Sequence, residues 1–172
     1  MNPVFDVIYN RRSIRSYKSD QITPEQLDNI LSAGLWAPTA RNEQEIKFVA
    51  VQDGNILEEL QKDFLSSIGG ESRVFHYNAP AFILLFGPKD FEYTEIDAGI
   101  AVQNMALAAE SIGLNTVIIG ILRKMMHGPL GDKWIKRFNI PDDHKFVIGL
   151  AVGYKAADTP KKDRRDNRIY KL

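Results

Sequence analysis

Three arginines and a serine lie within five residues near the start of the chain, in the segment Arg11-Arg12-Ser13-Ile14-Arg15. Guanidinium groups match phosphate oxygens in a bidentate geometry, and a serine hydroxyl adds a short neutral donor. The segment is therefore a candidate phosphate clamp. Charged side chains are also common on protein surfaces, so a solvated basic turn is the alternative for such a cluster.

A second candidate is the segment Pro38-Thr39-Ala40-Arg41-Asn42-Glu43-Gln44, here called the polar loop. Its short polar side chains are suited to hydrogen-bonding the edges of a flat, polar heterocycle. A loop that merely ends a helix has a similar composition. On the residues alone, both interpretations stay open.

A basic run near the end of the chain supports a rival hypothesis, a non-enzymatic module whose tail binds nucleic acid or an acidic partner. The run contains Lys161, Lys162, Arg164, Arg165 and Arg168. Two aspartates interrupt it, and across the chain 22 Lys and Arg balance 22 Asp and Glu, giving a formal net charge of zero. A dedicated nucleic-acid binder usually has a basic excess, so we expect no nucleic-acid partner.

The composition excludes several classes of chemistry. With 172 residues, 44% hydrophobic and 26% charged, the chain matches an ordinary globular protein. It has no cysteine, which excludes disulfides, thiolate metal sites, iron–sulfur clusters and a cysteine nucleophile. Any redox chemistry must therefore use a bound cofactor.

Further motifs are missing. His76, His127 and His144 are too far apart in sequence for a typical metal site, so we expect none. Neither G-x-G-x-x-G nor G-x-x-x-x-G-K-[ST] occurs, so a bound nucleotide would be held in another way. Because there is no apolar run of membrane-spanning length and no signal-peptide pattern, we expect a cytoplasmic protein without a membrane partner.

Start and stop signals divide the chain into alternating helices and strands. Asn2 and Pro3 predict a short helix that ends at Arg11, and Thr23 with Gln26 predicts a capped helix that Pro38 closes. The remaining predicted helices cover 56–68, 98–112 (opened by Asp97) and 129–138, and the predicted strands cover 46–51, 81–86, 116–119 and 146–152. This alternation by itself favours a parallel α/β sheet. With no internal linker, residues 1–172 are expected to form one domain that includes the irregular tail 155–172.

Two amides interrupt the most apolar of these helices. Gln103 and Asn104 lie among alanines, leucine and methionine. A buried amide needs hydrogen-bond partners. The pair is expected either to brace the polar loop or to form a hydrogen bond in the core.

Three motifs in this order resemble the FMN-dependent nitroreductase family. They are RRSIRSY near the start, APTARNEQ in the polar loop, and DAGIAVQNMALAAESIGLNTVIIG in the middle of the chain. The resemblance runs over nearly the whole sequence. One departure is Gly113-Leu114-Asn115, where the family more often has Gly-Leu-Gly.

The resemblance implies a set of cofactor-binding residues. It implies that Arg11, Arg12, Ser13 and Arg15 hold the FMN phosphate and ribityl chain, and that Pro38, Thr39, Ala40, Asn42 and Gln44 reach the flavin from a neighbouring subunit. It further implies that Ile118, Ile119 and Gly120 lie beside the reactive flavin edge, where a backbone amide faces N5, and that Lys162, Arg164 and Arg165 lie near the phosphate. No catalytic side chain is implied, because a direct hydride transfer needs none.

The family fold implied is α+β, a three-layer α-β-α sandwich around a mostly antiparallel mixed central sheet, and it replaces the parallel sheet that alternation favours. The implied protein is an intertwined homodimer with FMN at the subunit interface. The implied activity passes a hydride from NADH or NADPH through FMN to a small electron-poor acceptor, such as a nitroaromatic or a quinone, by a ping-pong cycle.

Other functions within the same resemblance stay open. They are a flavin carrier or sensor without turnover, and a related flavin reaction such as dehydrogenation or dehalogenation. Because the chain is short for the family, the substrate lid between Phe64 and Asn78 is expected to be small.

Overall fold

The fold is described from a computed structural model, which covers residues 2–69 and 73–172. The helices are α1 (Pro3–Asn10), α2 (Pro24–Leu35), α3 (Gly54–Ser67), α4 (Thr94–Ser111), α5 (Arg123–Met126) and α6 (Gly131–Arg137). The strands are β1 (Lys47–Val51), β2 (Ala81–Pro88), β3 (Asn115–Ile119) and β4 (His144–Gly153). A single 3₁₀ turn, Ala40–Asn42, lies in the polar loop.

The predicted helix starts are confirmed by their capping contacts. The Asn2 side chain accepts a hydrogen bond from the Val4 N–H at 2.9 Å. Thr23 and Gln26 form the reciprocal capping box, in which Thr23 Oγ1 accepts from the Gln26 N–H at 3.2 Å and Gln26 Oε1 accepts from the Thr23 N–H at 2.9 Å. Each cap satisfies a backbone donor that the helix itself leaves unpaired.

The four strands form one sheet in the order β1-β2-β4-β3, and every neighbouring pair is antiparallel. The parallel sheet that alternation favours is therefore wrong. Because β2 and β3 are both antiparallel to β4, they run in the same direction, as strands joined by the single helix α4 should. β4 comes last in the sequence and inserts between them, a split arrangement that local sequence patterns do not encode.

Helices cover both faces of this sheet, so the fold has three layers. Along β2, Ala81, Ile83 and Leu85 pack into the cluster under α2 and α4, whereas Phe82, Leu84 and Phe86 pack into the cluster under α3, α5 and α6. Since both faces are buried, β2 reads as a continuous apolar run. The α+β sandwich with an antiparallel sheet is thus confirmed. Among the described helices, none combines the length and apolarity needed to cross a bilayer.

Candidate functional site

The arginine cluster lies in an extended segment alongside the edge strand β3. Ser13 forms a parallel bridge with Thr116, and the Ile14 N–H donates to the Thr116 carbonyl at 3.0 Å. Ile14 is 2% exposed and anchors the segment in the core. Arg15, on the other side of Ile14, is exposed.

The C-terminal tail returns to the same place. The Lys18 N–H donates to the Tyr154 carbonyl at 2.8 Å, and the Ala156 N–H donates to the Ser16 carbonyl at 2.9 Å. These bonds direct the tail past the arginines. A cavity of about 210 Å³, here called the basic cavity, is lined by Arg11, Arg12, Ser13, Arg15, Thr159, Pro160, Lys162 and Arg164. Arg165 is not among its lining residues.

The charge of the basic cavity is one-sided. Five of its lining residues are Arg or Lys and none is Asp or Glu. Burial, together with the positive charges of Arg12 and Arg164, lowers the pKa of Arg11, and the Glu110 carboxylate opposes this shift. None of the ion pairs between described residues includes a cation of this cavity. A multiply charged anion would therefore be favoured there, and phosphate matches this donor set.

A second cavity, of about 170 Å³, lies at the end of β3 and is here called the strand-end cavity. Its lining residues are Arg15, Arg73, Phe75, Tyr77, Val117, Ile118, Ile119, Gly120 and Ile121. Arg15 lines both cavities, so they adjoin. A Cβ added to Gly120 would have no neighbouring atom within 4 Å among the described residues, so none of them requires glycine at this position.

Aromatic residues that the sequence did not single out form one wall of the strand-end cavity. The Arg15 guanidinium lies over the Tyr77 ring, 5.9 Å from its centroid. Tyr77 and Asn78 both have positive φ, 55° and 59°, a conformation that costs energy for non-glycine residues and is concentrated at functional sites. Arg73 and Phe75 precede them. All four lie in the segment expected to form the small lid, of which residues 70–72 lie outside the described residues.

The polar loop is attached elsewhere. Its Ala40 N–H donates to the Asp97 carboxylate in the first turn of α4, whereas Glu110, whose charge acts on Arg11, lies in the last turn. At 1.5 Å per residue these two carboxylates are about 20 Å apart along the helix. One chain therefore brings together Arg11, Arg12, Ser13, Arg15, Lys162 and Arg164, and beside them Ile118, Ile119 and Gly120, but not the loop from Pro38 to Gln44.

In the part of the chain that the structure describes, no three His, Asp or Glu side chains lie close enough together to hold a metal ion. Asn104 has a structural partner, since its Nδ2 donates to the Ala33 carbonyl in α2 at 3.3 Å. Gln103 is exposed. Asn104 thus forms a hydrogen bond between two helices, whereas Gln103 lies at the surface.

These features define a class, an α+β sandwich in which a cationic cavity adjoins a partly aromatic cavity at the end of an edge strand. Residues 8–154 match the family model "Nitroreductase family". The chain belongs to the nitroreductase family.

Individual relatives agree with this membership. The chain is 30% identical to "FMN reductase (NADPH)" of Bacillus subtilis (strain 168), over 95% of this chain and 70% of that protein. It is 29% identical to "NADPH-flavin oxidoreductase" of Vibrio harveyi, with the same two coverages of 95% and 70%. Among solved structures, a nitroreductase with bound FMN from Bacteroides fragilis NCTC 9343 superposes with a TM-score of 0.93 at 27% identity, over 100% of both chains.

Proposed function

We propose that this protein is an FMN-dependent oxidoreductase that takes a hydride from NADH or NADPH. The observation that carries the proposal is the adjoining pair of cavities, one cationic and one partly aromatic, which match the phosphate end and the ring end of FMN. The names of the relatives and the FMN bound in the Bacteroides fragilis structure support the same assignment.

The residues divide by the part of FMN that they would hold. Arg11, Arg12, Ser13, Lys162 and Arg164 would bind the phosphate, because they line the basic cavity. Arg15 would bind where the two cavities meet, at the ribityl chain and the ring. Arg165 lies outside the cavity lining, so its expected contact with the phosphate is not part of the proposal.

The strand-end cavity would hold the flavin ring. Ile118, Ile119 and Gly120 would lie along its reactive edge, with a backbone N–H of this turn donating to N5. Phe75 and Ile119, which are 1% and 4% exposed, supply apolar wall. Such a wall limits water at the ring, and Arg73 adds a positive charge to the cavity lining.

The site would be completed by a second copy of the chain. The polar loop is attached at the end of α4 opposite to the basic cavity, and its residues do not line either cavity of their own chain. In a dimer, Pro38, Thr39, Ala40, Asn42 and Gln44 would contact the flavin of the partner subunit. Large apolar side chains are left exposed on α1 and after α2: Phe5 is 51% exposed, Tyr9 54% and Trp36 84%. A homodimer in which each 172-residue chain acts as one unit would cover them.

When bound, FMN supplies the redox chemistry by accepting a hydride from NADH or NADPH and passing the electrons to an electron-poor acceptor, such as a nitroaromatic or a quinone. The chain would bind and orient the ring, shield it from water and leave one face open to donor and acceptor in turn. No side chain is assigned as an acid or base, because hydride transfer to the ring needs none. This arrangement predicts ping-pong kinetics.

Anaerobic titration tests the proposal. The protein reconstituted with FMN is mixed with NADH or with NADPH, and the flavin absorbance is followed before and after p-nitrobenzoate or benzoquinone is added. The expected result is bleaching by at least one nucleotide and recovery with at least one acceptor. If FMN binds but neither nucleotide bleaches it, the NAD(P)H-dependent reductase assignment is wrong, and the flavin carrier, the sensor and the related flavin reactions are the alternatives that remain.

A further inference from the structure

The polar loop has a strained backbone. Arg41, Asn42 and Gln44 have φ values of 55°, 58° and 54°. Left-handed backbone at non-glycine residues costs energy and persists where the surrounding contacts determine it. Three such residues within four positions therefore require a strong anchor.

Asp97 provides that anchor. Its carboxylate is within hydrogen-bond distance of the Ala40 N–H through both oxygens, at 3.0 Å and 3.2 Å. Asp97 is only 4% exposed. It lies in the first turn of α4, where the helix dipole favours a negative charge. The carboxylate is thus stabilised by its own helix and directed at the first residue of the 3₁₀ turn.

The other contacts of the loop anchor it less firmly. Gln44 donates from its backbone N–H to Thr39 Oγ1 at 3.1 Å, and from its side chain to Asn42 Oδ1 at 3.0 Å, but both bonds lie within the loop. Arg41 pairs with Glu92 at 3.3 Å, and these side chains are 66% and 65% exposed. An exposed ion pair contributes little. Among the described residues, the part-buried bond from Ala40 to Asp97 is the least exposed side-chain hydrogen bond that joins residues 39–44 to the rest of the fold.

We infer that Asp97 is a positioning residue for FMN, and that it acts on the flavin of the partner subunit. By fixing Ala40 it sets the left-handed turn that presents Asn42 and Gln44. The inference rests on the proposed function, since it requires FMN and a dimer.

The first test measures FMN affinity of the apoprotein by flavin fluorescence. Asp97→Ala removes the acceptor. Ala40→Pro removes the donor at a position that suits proline, because it is the first residue of the turn and Thr39 before it is extended, with φ −123° and ψ 151°. Each variant is expected to weaken FMN binding about ten- to a hundredfold, as for a lost hydrogen bond to a charged group.

Three comparisons make this test specific. The double variant Asp97→Ala/Ala40→Pro is expected to bind FMN about as tightly as the single variant with the lower affinity, because both changes remove the same bond. Asp97→Asn keeps one acceptor oxygen and is expected to restore much of the affinity. The matched control is Glu92→Gln, which removes the exposed carboxylate facing the same loop and should bind FMN like the wild type. Wild-type affinity in Asp97→Ala, or fully additive losses in the double variant, would overturn the inference.

Mixed dimers test whether Asp97 acts across the interface. A dimer of one Asp97→Ala chain and one Arg15→Ala chain leaves one site with both parts intact if the loop acts on the partner, so about one FMN per dimer should bind tightly. A dimer of a wild-type chain and an Arg15→Ala/Asp97→Ala chain should then have no intact site. The reverse pattern would mean that Asp97 acts within its own chain and would overturn the inference.

The two proposals fail in different ways. If wild-type protein binds no FMN, the proposed function fails. If wild type binds FMN and Arg15→Ala weakens binding while Asp97→Ala and Ala40→Pro do not, the proposed function stands and the role of Asp97 is wrong. Thermal unfolding of each apoprotein shows which variants fold. If Asp97→Ala does not fold, the FMN affinities of Ala40→Pro and Asp97→Asn are compared with that of the wild type instead.

Discussion

Arg15 lines both the basic cavity and the strand-end cavity and so connects the two parts of the candidate FMN site. We predict that Arg15→Ala raises the Kd for FMN by about ten- to a hundredfold, because a charged hydrogen-bond donor is lost. Titration of the apoprotein with FMN measures this. Arg168→Ala is the control, since Arg168 belongs to the same basic run but does not line the cavity and donates to the Arg165 carbonyl. Equal affinities for the two variants would contradict the assignment of Arg15.

Gly120 offers a steric test. Its backbone is not left-handed, and a Cβ there would meet no atom of the described residues within 4 Å, so these residues leave room for a side chain to begin at this position. We predict that Gly120→Val leaves the melting temperature of the apoprotein within a few degrees of wild type but weakens FMN binding at least tenfold, because the side chain occupies the space of the flavin edge.

The control for this prediction is Gly54→Val, at the exposed start of α3, where an added Cβ also meets no atom within 4 Å. It should leave FMN affinity unchanged. Wild-type FMN affinity in Gly120→Val would mean that the flavin edge lies elsewhere.

Sequence reasoning found much of the candidate site but not its extent. Arg11 and Lys162, which the resemblance assigned to the same phosphate, are far apart in sequence yet line one cavity, and the structure separates Arg164, which lines it, from Arg165, which does not. Arg73 and Tyr77 were missed because a lone arginine and a lone tyrosine have no motif. Their position depends on how residues 73–78 pass the end of β3, which is a tertiary property.

At the scale of elements, a charged network joins α3 to α6. Lys133 contacts Glu59 and Asp63 at 2.8 Å each, and Arg137 also pairs with Glu59. The Trp134 indole N–H donates to Asp63 at 2.8 Å. Hydrogen bonds from Lys133 and Arg137 lower the pKa of Glu59 from 4.5 to about 2.

This shift predicts a dependence of stability on pH. Because the folded-state pKa of Glu59 is depressed, its contribution to the free energy of unfolding is present above pH 4.5 and is lost as pH falls towards 2. Glu59→Gln should therefore be less stable than wild type at pH 7, with a difference that shrinks below pH 4 and in high salt, since the network is at the surface. Urea denaturation across this pH range measures it, and a difference independent of pH would contradict the assigned pKa.

The elements themselves were predicted where local signals exist. The capping residues Asn2 and Thr23 mark helix starts that the structure confirms. Asp97 was read as the opening of α4, but the helix begins at Thr94, and Asp97 instead faces the polar loop. α5 was not predicted, because it has four residues and no side-chain cap. The order of the strands in the sheet could not be predicted from local sequence patterns, because β4 lies between β2 and β3, which precede it in the sequence.

At the scale of the whole molecule, α1 has an exposed apolar face that the proposed dimer would cover. Val4 is 64% exposed, Phe5 51%, Ile8 44% and Tyr9 54%. Such a patch typically marks an interface. We predict that Phe5→Glu together with Ile8→Glu converts a wild-type dimer into monomer and lowers FMN affinity at least tenfold, because the partner's loop is lost.

Sedimentation velocity with and without FMN checks this prediction, and Asp6→Lys, on the same helix but outside the apolar patch, is the control. A double variant that stays dimeric would show that α1 is not at the interface. A monomeric variant with wild-type FMN affinity would contradict a site shared between subunits.

The central claim is that this chain holds FMN in the adjoining cavities and uses it for redox chemistry. The most direct measurement is the visible spectrum of the purified protein, with the released flavin identified and counted per chain, before and after anaerobic addition of NADH and NADPH. We predict about one FMN per chain, bleached by at least one of the two nucleotides. A colourless protein that also fails to bind added FMN would contradict the account.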